Sequence, residues 1–137
     1  MAERAKEFRY AIGLDRSGRV TADGRSPLEL DTAWTPEHLV LAGLVQCTLQ
    51  SLRFHAARRG IDVLASASAT GMVTRRAEDE RYAFVEIDVE LDLELEQAPP
   101  NEELSALLAN AERDCFVGTS LNPSPHYRWR INGAEFN

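Results

Sequence analysis

The sequence from residue 34 to residue 60 reads WTPEHLVLAGLVQCTLQSLRFHAARRG and predicts the central element of the fold. Pro36 suits the first turn of a helix, and Glu37 there faces the positive end of the helix dipole. Between residues 39 and 49 nearly every position is apolar or small, which is typical of a helix that is buried on all sides. Gly60 is suited to ending the helix. The pattern therefore predicts one long buried helix of about six turns.

Strands are predicted on both sides of this helix. Before it, short extended runs alternate with turn residues, and the Asp23-Gly24 pair indicates a hairpin, so we expect a small antiparallel sheet. After it, two long strands are joined by a charged turn. In the second of these, apolar and acidic residues alternate, which is typical of a strand with one buried face and one solvated face. The predicted strands are residues 8–12, 19–22, 28–31, 63–75 and 81–95.

The last part of the chain predicts a second helix and a final strand. Leucines at helical spacing follow Pro99 and Pro100, and Cys115 continues the same apolar stripe, so its thiol is expected to point inward. Gly118 and residues 122–125 are expected to form a loop, and residues 126–131 a strand. The outline is βββ-α-ββ-α-β, an α+β fold in a single domain covering residues 1–137.

Composition limits the classes of function. The chain has 137 residues, 44% hydrophobic and 27% charged, which is ordinary for one globular domain. Its net charge of −7 repels nucleic-acid phosphate, so no nucleic-acid partner is expected. No apolar run approaches the roughly 20 residues that span a bilayer, and the first residues do not resemble a signal peptide. We therefore expect a cytoplasmic protein without a membrane partner.

The two cysteines are the main candidates for chemistry. In a reducing compartment they are less expected to form a permanent disulfide than to be a reactive pair, a metal pair or two buried thiols. From the residues alone, a cysteine inside an apolar helix is more often a small inert side chain, and spacing does not show that the two meet. The three histidines lack metal-ligand spacing to a cysteine, so no metal and no bound cofactor are predicted.

A resemblance to a known family favours a reactive cysteine pair over two inert thiols. Pro36-Glu37-His38-Leu39, followed by Cys47, resembles the first cysteine signature of the OsmC/Ohr family, named for osmotically inducible protein C and organic hydroperoxide resistance protein. Residues 111–115 are similar to the family's second cysteine motif, and the order of elements matches. The resemblance implies an interlocked homodimer with two sites at the subunit interface. It further implies a thiol peroxidase that prefers organic or fatty-acid hydroperoxides and is reset by a thiol reductant, such as a dihydrolipoyl carrier protein.

The resemblance also implies roles for individual residues. Cys47 would be the peroxidatic cysteine and Cys115 the resolving one. Glu37 would hold an arginine that lowers the pKa of the attacking thiol. Arg16 is the first choice for that arginine and Arg19 the second, because the loop that carries them aligns with the family only with a gap.

Helix geometry adds one consequence for Glu37. Ten residues of continuous helix separate it from Cys47 by roughly 15 Å, which is too far for one site within a subunit. If both act at one site, Glu37 must reach Cys47 of the partner subunit. An alternative role for Glu37 stays open, in which its negative charge only interacts favourably with the positive end of the helix dipole. An alternative function also stays open, in which the protein is a non-catalytic relative that binds an apolar small molecule between subunits.

Overall fold

The computed structural model describes residues 5–137, and the chain divides into two compact units, Met1–Thr35 and Pro36–Asn137. The first unit contains a three-stranded sheet, and the second contains helices and a four-stranded sheet. This confirms the predicted α+β class, and the predicted elements occur in the predicted order. Within the described residues, no helix is both long enough and apolar enough to cross a membrane.

The first unit is the antiparallel sheet that the turn residues predict. Asp23 and Gly24 both have positive φ, 51° and 72°, and the Arg25 N–H donates to the Ala22 carbonyl oxygen, so the two are the central residues of a tight turn. Positive φ at both central residues is what a type I′ turn requires, and glycine adopts it without strain. The predicted bounds of the outer strands are wrong, since the observed strands are shorter. The Asp15 carboxylate accepts hydrogen bonds from the N–H groups of Ser17 and Arg19, and this turn ends the first strand at Leu14. The strands are β1 (Ile12–Leu14), β2 (Val20–Ala22) and β3 (Pro27–Leu28), in the order β1-β2-β3.

The long central helix is α1, Pro36–Arg58, with 23 residues. It begins at the predicted proline, and Gly60 follows it with a φ of +68°, the left-handed conformation that commonly ends helices. The prediction that α1 is buried on all sides is wrong within one chain. Its positions before Leu44 are half-buried or exposed, because the other elements of the second unit cover only one face. An apolar face of α1 is therefore left partly open.

The two long strands are β4, Leu64–Arg75, and β5, Tyr82–Glu94, paired antiparallel. The predicted alternation on β5 is confirmed, since the apolar positions from Ile87 to Leu93 are buried and the acidic positions between them are exposed. One face of the sheet thus contributes to the core, and the acidic row lies in solvent.

The remaining elements complete the second unit. They are α2 (Asn101–Arg113), α3 (Phe116–Ser120), β6 (His126–Ile131) and β7 (Ala134–Phe136), with the sheet in the order β4-β5-β6-β7. β6 has its predicted bounds and lies parallel to β5. The loop predicted at Gly118 is wrong, because Gly118 is buried within the short helix α3. Buried side chains of α1, α2, β5 and β6 form one hydrophobic cluster that includes Leu52, Leu91 and Leu107.

Candidate functional site

The fold brings the two cysteines together. Cys47 lies in the middle of α1, Cys115 lies between α2 and α3, and their thiol groups interact. Both are free thiols. They differ in exposure, because Cys115 is 0% exposed whereas Cys47 is only half-buried. A reagent that arrives from solvent therefore reaches Cys47 first.

Backbone groups of α3 hold both sulfur atoms. The N–H of Val117 donates to Cys47 Sγ at 3.5 Å, and the N–H of Gly118 donates to Cys115 Sγ at 3.4 Å. Cys115 is the N-cap of α3, so its sulfur does what a serine or aspartate oxygen usually does at that position. The residues after the second cysteine thus bind the pair through their main chain.

The prediction that the Cys115 thiol points inward is confirmed, but the reason given for it is wrong. The apolar stripe predicted that Cys115 belongs to the same helix as Ala111. In the structure α2 ends at Arg113 and Asp114 is its C-cap, so Cys115 lies outside that helix. It is buried because the chain turns inward at that point to begin α3.

Burial dominates the electrostatics of the pair within one chain. It raises the pKa of the Cys47 thiol, and the neighbouring Cys115 raises it further, whereas the N–H groups of Val117 and Phe116 act in the opposite direction. A buried thiol resists losing its proton because the thiolate is poorly solvated. A thiolate at Cys47 therefore needs an added positive charge beside it.

The other predicted site residues are two arginines of the first unit and one glutamate of α1. Arg16 and Arg19 are exposed in the turn between β1 and β2 of the first unit. Glu37 is exposed in the first turn of α1. Because α1 is continuous from Glu37 to Cys47, the separation of roughly 15 Å along the helix holds within one chain. The roles of Glu37 and both arginines stay predictions.

Two residues that the sequence did not mark as part of the site lie against Cys115. The Thr48 hydroxyl is 3.4 Å from Cys115 Sγ, and the Tyr127 phenol on β6 interacts with both Thr48 and Cys115. One feature of the sequence could have indicated Thr48, since it is a hydroxyl residue inside an apolar stretch and directly follows Cys47. For Tyr127 the only signal was its place on the apolar side of the last strand.

A second polar contact ties the Cys115 segment to α1. His55 Nε2 and Asp114 Oδ2 are 2.8 Å apart, and Asp114 also pairs with Arg113. Hydrogen bonds from Arg113, and then from His55, lower the pKa of Asp114 to about 2. His55 lies two turns after Cys47 and Asp114 directly precedes Cys115, so this pair joins the two cysteine-bearing segments.

Ser51 provides a test of burial on α1. Among the described residues its hydroxyl is buried and makes no hydrogen bond. We expect Ser51→Ala to raise the free energy of unfolding by about 1 to 2 kcal/mol, because an unpaired buried hydroxyl is destabilising and alanine favours helix. The measurement is urea unfolding. Ser105→Ala, at an exposed position of α2, is the control for helix propensity alone. A loss of stability in Ser51→Ala would mean that the hydroxyl has a partner in the assembled protein.

Comparison with known proteins identifies the family. A family model described as OsmC-like protein matches residues 29–130, and the chain belongs to the OsmC family. A search of curated protein sequences gives no match. No group of three or more His, Cys, Asp or Glu side chains within residues 5–137 is arranged to hold a metal ion.

Solved structures share the fold over nearly their whole length. An OsmC-like protein of unknown function from Vibrio cholerae is 14% identical, with a TM-score of 0.73, 91% of this chain covered and 99% of that one. An organic hydroperoxide resistance protein OsmC of Legionella pneumophila is 20% identical, with a TM-score of 0.58 and coverage of 94% and 98%. The organic hydroperoxide resistance protein of Bacillus subtilis is 17% identical, with a TM-score of 0.56 and coverage of 90% and 96%. At these identities the likeness establishes the fold.

Proposed function

We propose that this protein is a thiol-dependent peroxidase that reduces organic hydroperoxides, with fatty-acid hydroperoxides as the natural candidates. The observation that carries the proposal is the contact between two free cysteines of unequal exposure. The half-buried Cys47 is the peroxidatic cysteine, and the fully buried Cys115 is the resolving cysteine. Two solved relatives described as organic hydroperoxide resistance proteins support the substrate class.

The chemistry proceeds in two steps. The Cys47 thiolate attacks one peroxide oxygen, the O–O bond breaks, and the alcohol leaves after taking up a proton, which gives a sulfenic acid at Cys47. Cys115 then attacks the oxidised sulfur, the S–O bond breaks, and a disulfide and water form. A dithiol reductant, such as a dihydrolipoyl group on a carrier protein, returns both cysteines to thiols by exchange. A reducing compartment such as the cytoplasm is consistent with this cycle.

A homodimer completes the site in this proposal. The apolar first half of α1 is half-buried or exposed. Phe54, two turns after Cys47 on α1, and Phe116, directly after Cys115, are each more than half exposed. A second copy that packs on this surface would bury it. Glu37 would then approach Cys47 of the partner subunit and hold Arg16, or in second place Arg19. The guanidinium would lower the pKa of the attacking thiol, opposing the effect of burial.

The test is oxidation of the reduced protein by cumene hydroperoxide and, separately, by hydrogen peroxide. We expect both thiols to be lost into one Cys47–Cys115 disulfide, detected by peptide mass analysis, and to be lost faster with the organic peroxide. Protein alkylated beforehand at both thiols is the control for other oxidation. Thiols that survive excess cumene hydroperoxide for many minutes would rule out the peroxidase.

One observation favours a second function. Within one chain, burial raises the pKa of Cys47, which keeps it in the unreactive thiol form. On this alternative, the protein binds an apolar small molecule between subunits and its cysteines only pack. A binder keeps its ligand affinity in Cys47→Ser, whereas a peroxidase loses turnover in the same variant.

A further inference from the structure

A buried hydroxyl lies directly against the sulfur of Cys115. Thr48 is 0% exposed, and its Oγ1 is 2.9 Å from the carbonyl oxygen of Leu44 and 3.4 Å from Cys115 Sγ. A threonine hydroxyl has one hydrogen, and Thr48 donates it to the Leu44 carbonyl. Toward Cys115, Oγ1 is therefore the acceptor and the S–H is the donor. Thr48 thus offers the Cys115 S–H a hydrogen-bond acceptor.

A second hydroxyl lies on the same sulfur. The Tyr127 phenol interacts with both Thr48 and Cys115, and burial raises its pKa to about 12, so it is protonated at neutral pH. Gly118 leaves the space for this cluster. A Cβ at that position would lie 2.6 Å from Tyr127 Oη and 3.3 Å from Cys115 Sγ. With the N–H of Gly118, two hydroxyl groups and one amide surround a sulfur that solvent does not reach.

This arrangement is more than hydrophobic packing requires. A buried cysteine that only fills space needs no polar neighbours, because the thiol is a weak hydrogen-bonding group. A cysteine that becomes a thiolate inside the protein needs donors, because burial without them disfavours the charge. Tyr127 and the Gly118 N–H supply donors at once, and Thr48 supplies a third if its hydroxyl rotates away from Leu44.

We propose that Thr48 is a catalytic residue of the resolving step and that the Tyr127 phenol supplies a second hydrogen-bond donor to the same sulfur. This inference rests on the proposed function and explains how the Cys115 thiol is activated for the resolving step. Thr48 first accepts the S–H and aims the thiol, then rotates and donates to the thiolate as it attacks the Cys47 sulfenic acid. The S–O bond breaks and the disulfide forms. The proton lost by Cys115 leaves with the sulfenic hydroxyl as water, so no further oxidant or reductant is needed.

The test separates the resolving step from the peroxide step. The variants are Thr48→Val, which has nearly the same shape without the hydroxyl, and Thr48→Ser as the control that keeps it. In Thr48→Val we expect the Cys47 sulfenic acid to form at the wild-type rate and dimedone to trap more of it, because closure of the disulfide competes less. Closure of the disulfide should slow about tenfold or more, and the pH range over which the closure rate increases should move to higher pH. Sulfinic acid should accumulate at Cys47. Thr48→Ser should restore both rate and pH profile.

A second measurement does not depend on peroxide. An aromatic disulfide reagent that releases coloured thionitrobenzoate reacts first at the more exposed Cys47, and Cys115 then displaces a second thionitrobenzoate. Only the second release should slow in Thr48→Val, and Tyr127→Phe should slow it by a smaller factor. Wild-type rates and pH profiles for that release in Thr48→Val would overturn the inference. Survival of both thiols when wild-type protein meets excess cumene hydroperoxide would instead overturn the peroxidase, so the two failures are distinguishable.

Discussion

Cys47→Ser is expected to abolish peroxide reduction, lowering the steady-state rate with cumene hydroperoxide by about a thousandfold or more. A serine hydroxyl at that position has nearly the same size but does not form the anion that attacks an O–O bond at neutral pH. Cys47 is only half-buried, so the exchange leaves the fold intact. The measurement is peroxide consumption with dihydrolipoamide as reductant, together with a thermal unfolding curve for each variant.

Cys115→Ser is the matched control, because it removes the partner thiol and leaves the attacking one. It should reduce close to one equivalent of peroxide per chain in a burst, and then stop as Cys47 proceeds to the sulfinic acid. The unequal exposure of the two thiols is the reason for this asymmetry. If the two variants lost the first turnover equally, or if Cys115→Ser alone lost it, the assignment of the roles would be wrong.

The sequence predicted those parts of the fold whose pattern is long. The 23 residues of α1 and the 13 residues of β5 each contain several repeats of their period, so type and bounds are predicted well. Burial of α1 on all sides was predicted wrongly for a physical reason. Apolar residues show that a face avoids water but not which chain covers it, and a single chain leaves the first half of α1 partly open.

The parts of the site that were missed depend on short or distant features. α3 has five residues and β7 has three, which is too few for either period to show. The N-cap of α3 is a cysteine, whose sulfur is a weak acceptor and is not a recognised start signal. The contact of Tyr127 with Cys115 depends on the parallel pairing of β6 with β5, and no local pattern encodes a parallel partner. Cys47, Cys115 and Glu37 were predicted as site residues because they match short sequence motifs. Such a match can be made without knowing which residues are in contact in the fold.

Pairing of subunits that carry different substitutions is expected to decide where Glu37 acts. Glu37→Gln alone should slow Cys47 oxidation about tenfold to a hundredfold, because the arginine proposed to pair with Glu37 would lose its charged partner. In a heterodimer of a Glu37→Gln chain with a Cys47→Ser chain, one site combines an intact Cys47 with an intact Glu37 of the partner subunit. About half of the wild-type activity should therefore return. Differently tagged chains, co-expressed and purified on both tags, give this heterodimer for peroxide-consumption assays.

The control has the same composition with the opposite arrangement. A wild-type chain is paired with a chain carrying both Glu37→Gln and Cys47→Ser, so that the only intact Cys47 faces a glutamine of the partner subunit. If Glu37 acts across the interface, this heterodimer has about half the low activity of the Glu37→Gln homodimer, because it contains one Cys47 instead of two. Action within one chain predicts the reverse, with half of the wild-type activity here and the low activity in the first pairing. Helix geometry favours the first outcome, because α1 is unbroken between the two residues and holds them roughly 15 Å apart. Equal activity in the two heterodimers would leave Glu37 as a dipole-favoured first-turn residue without a role at the thiol.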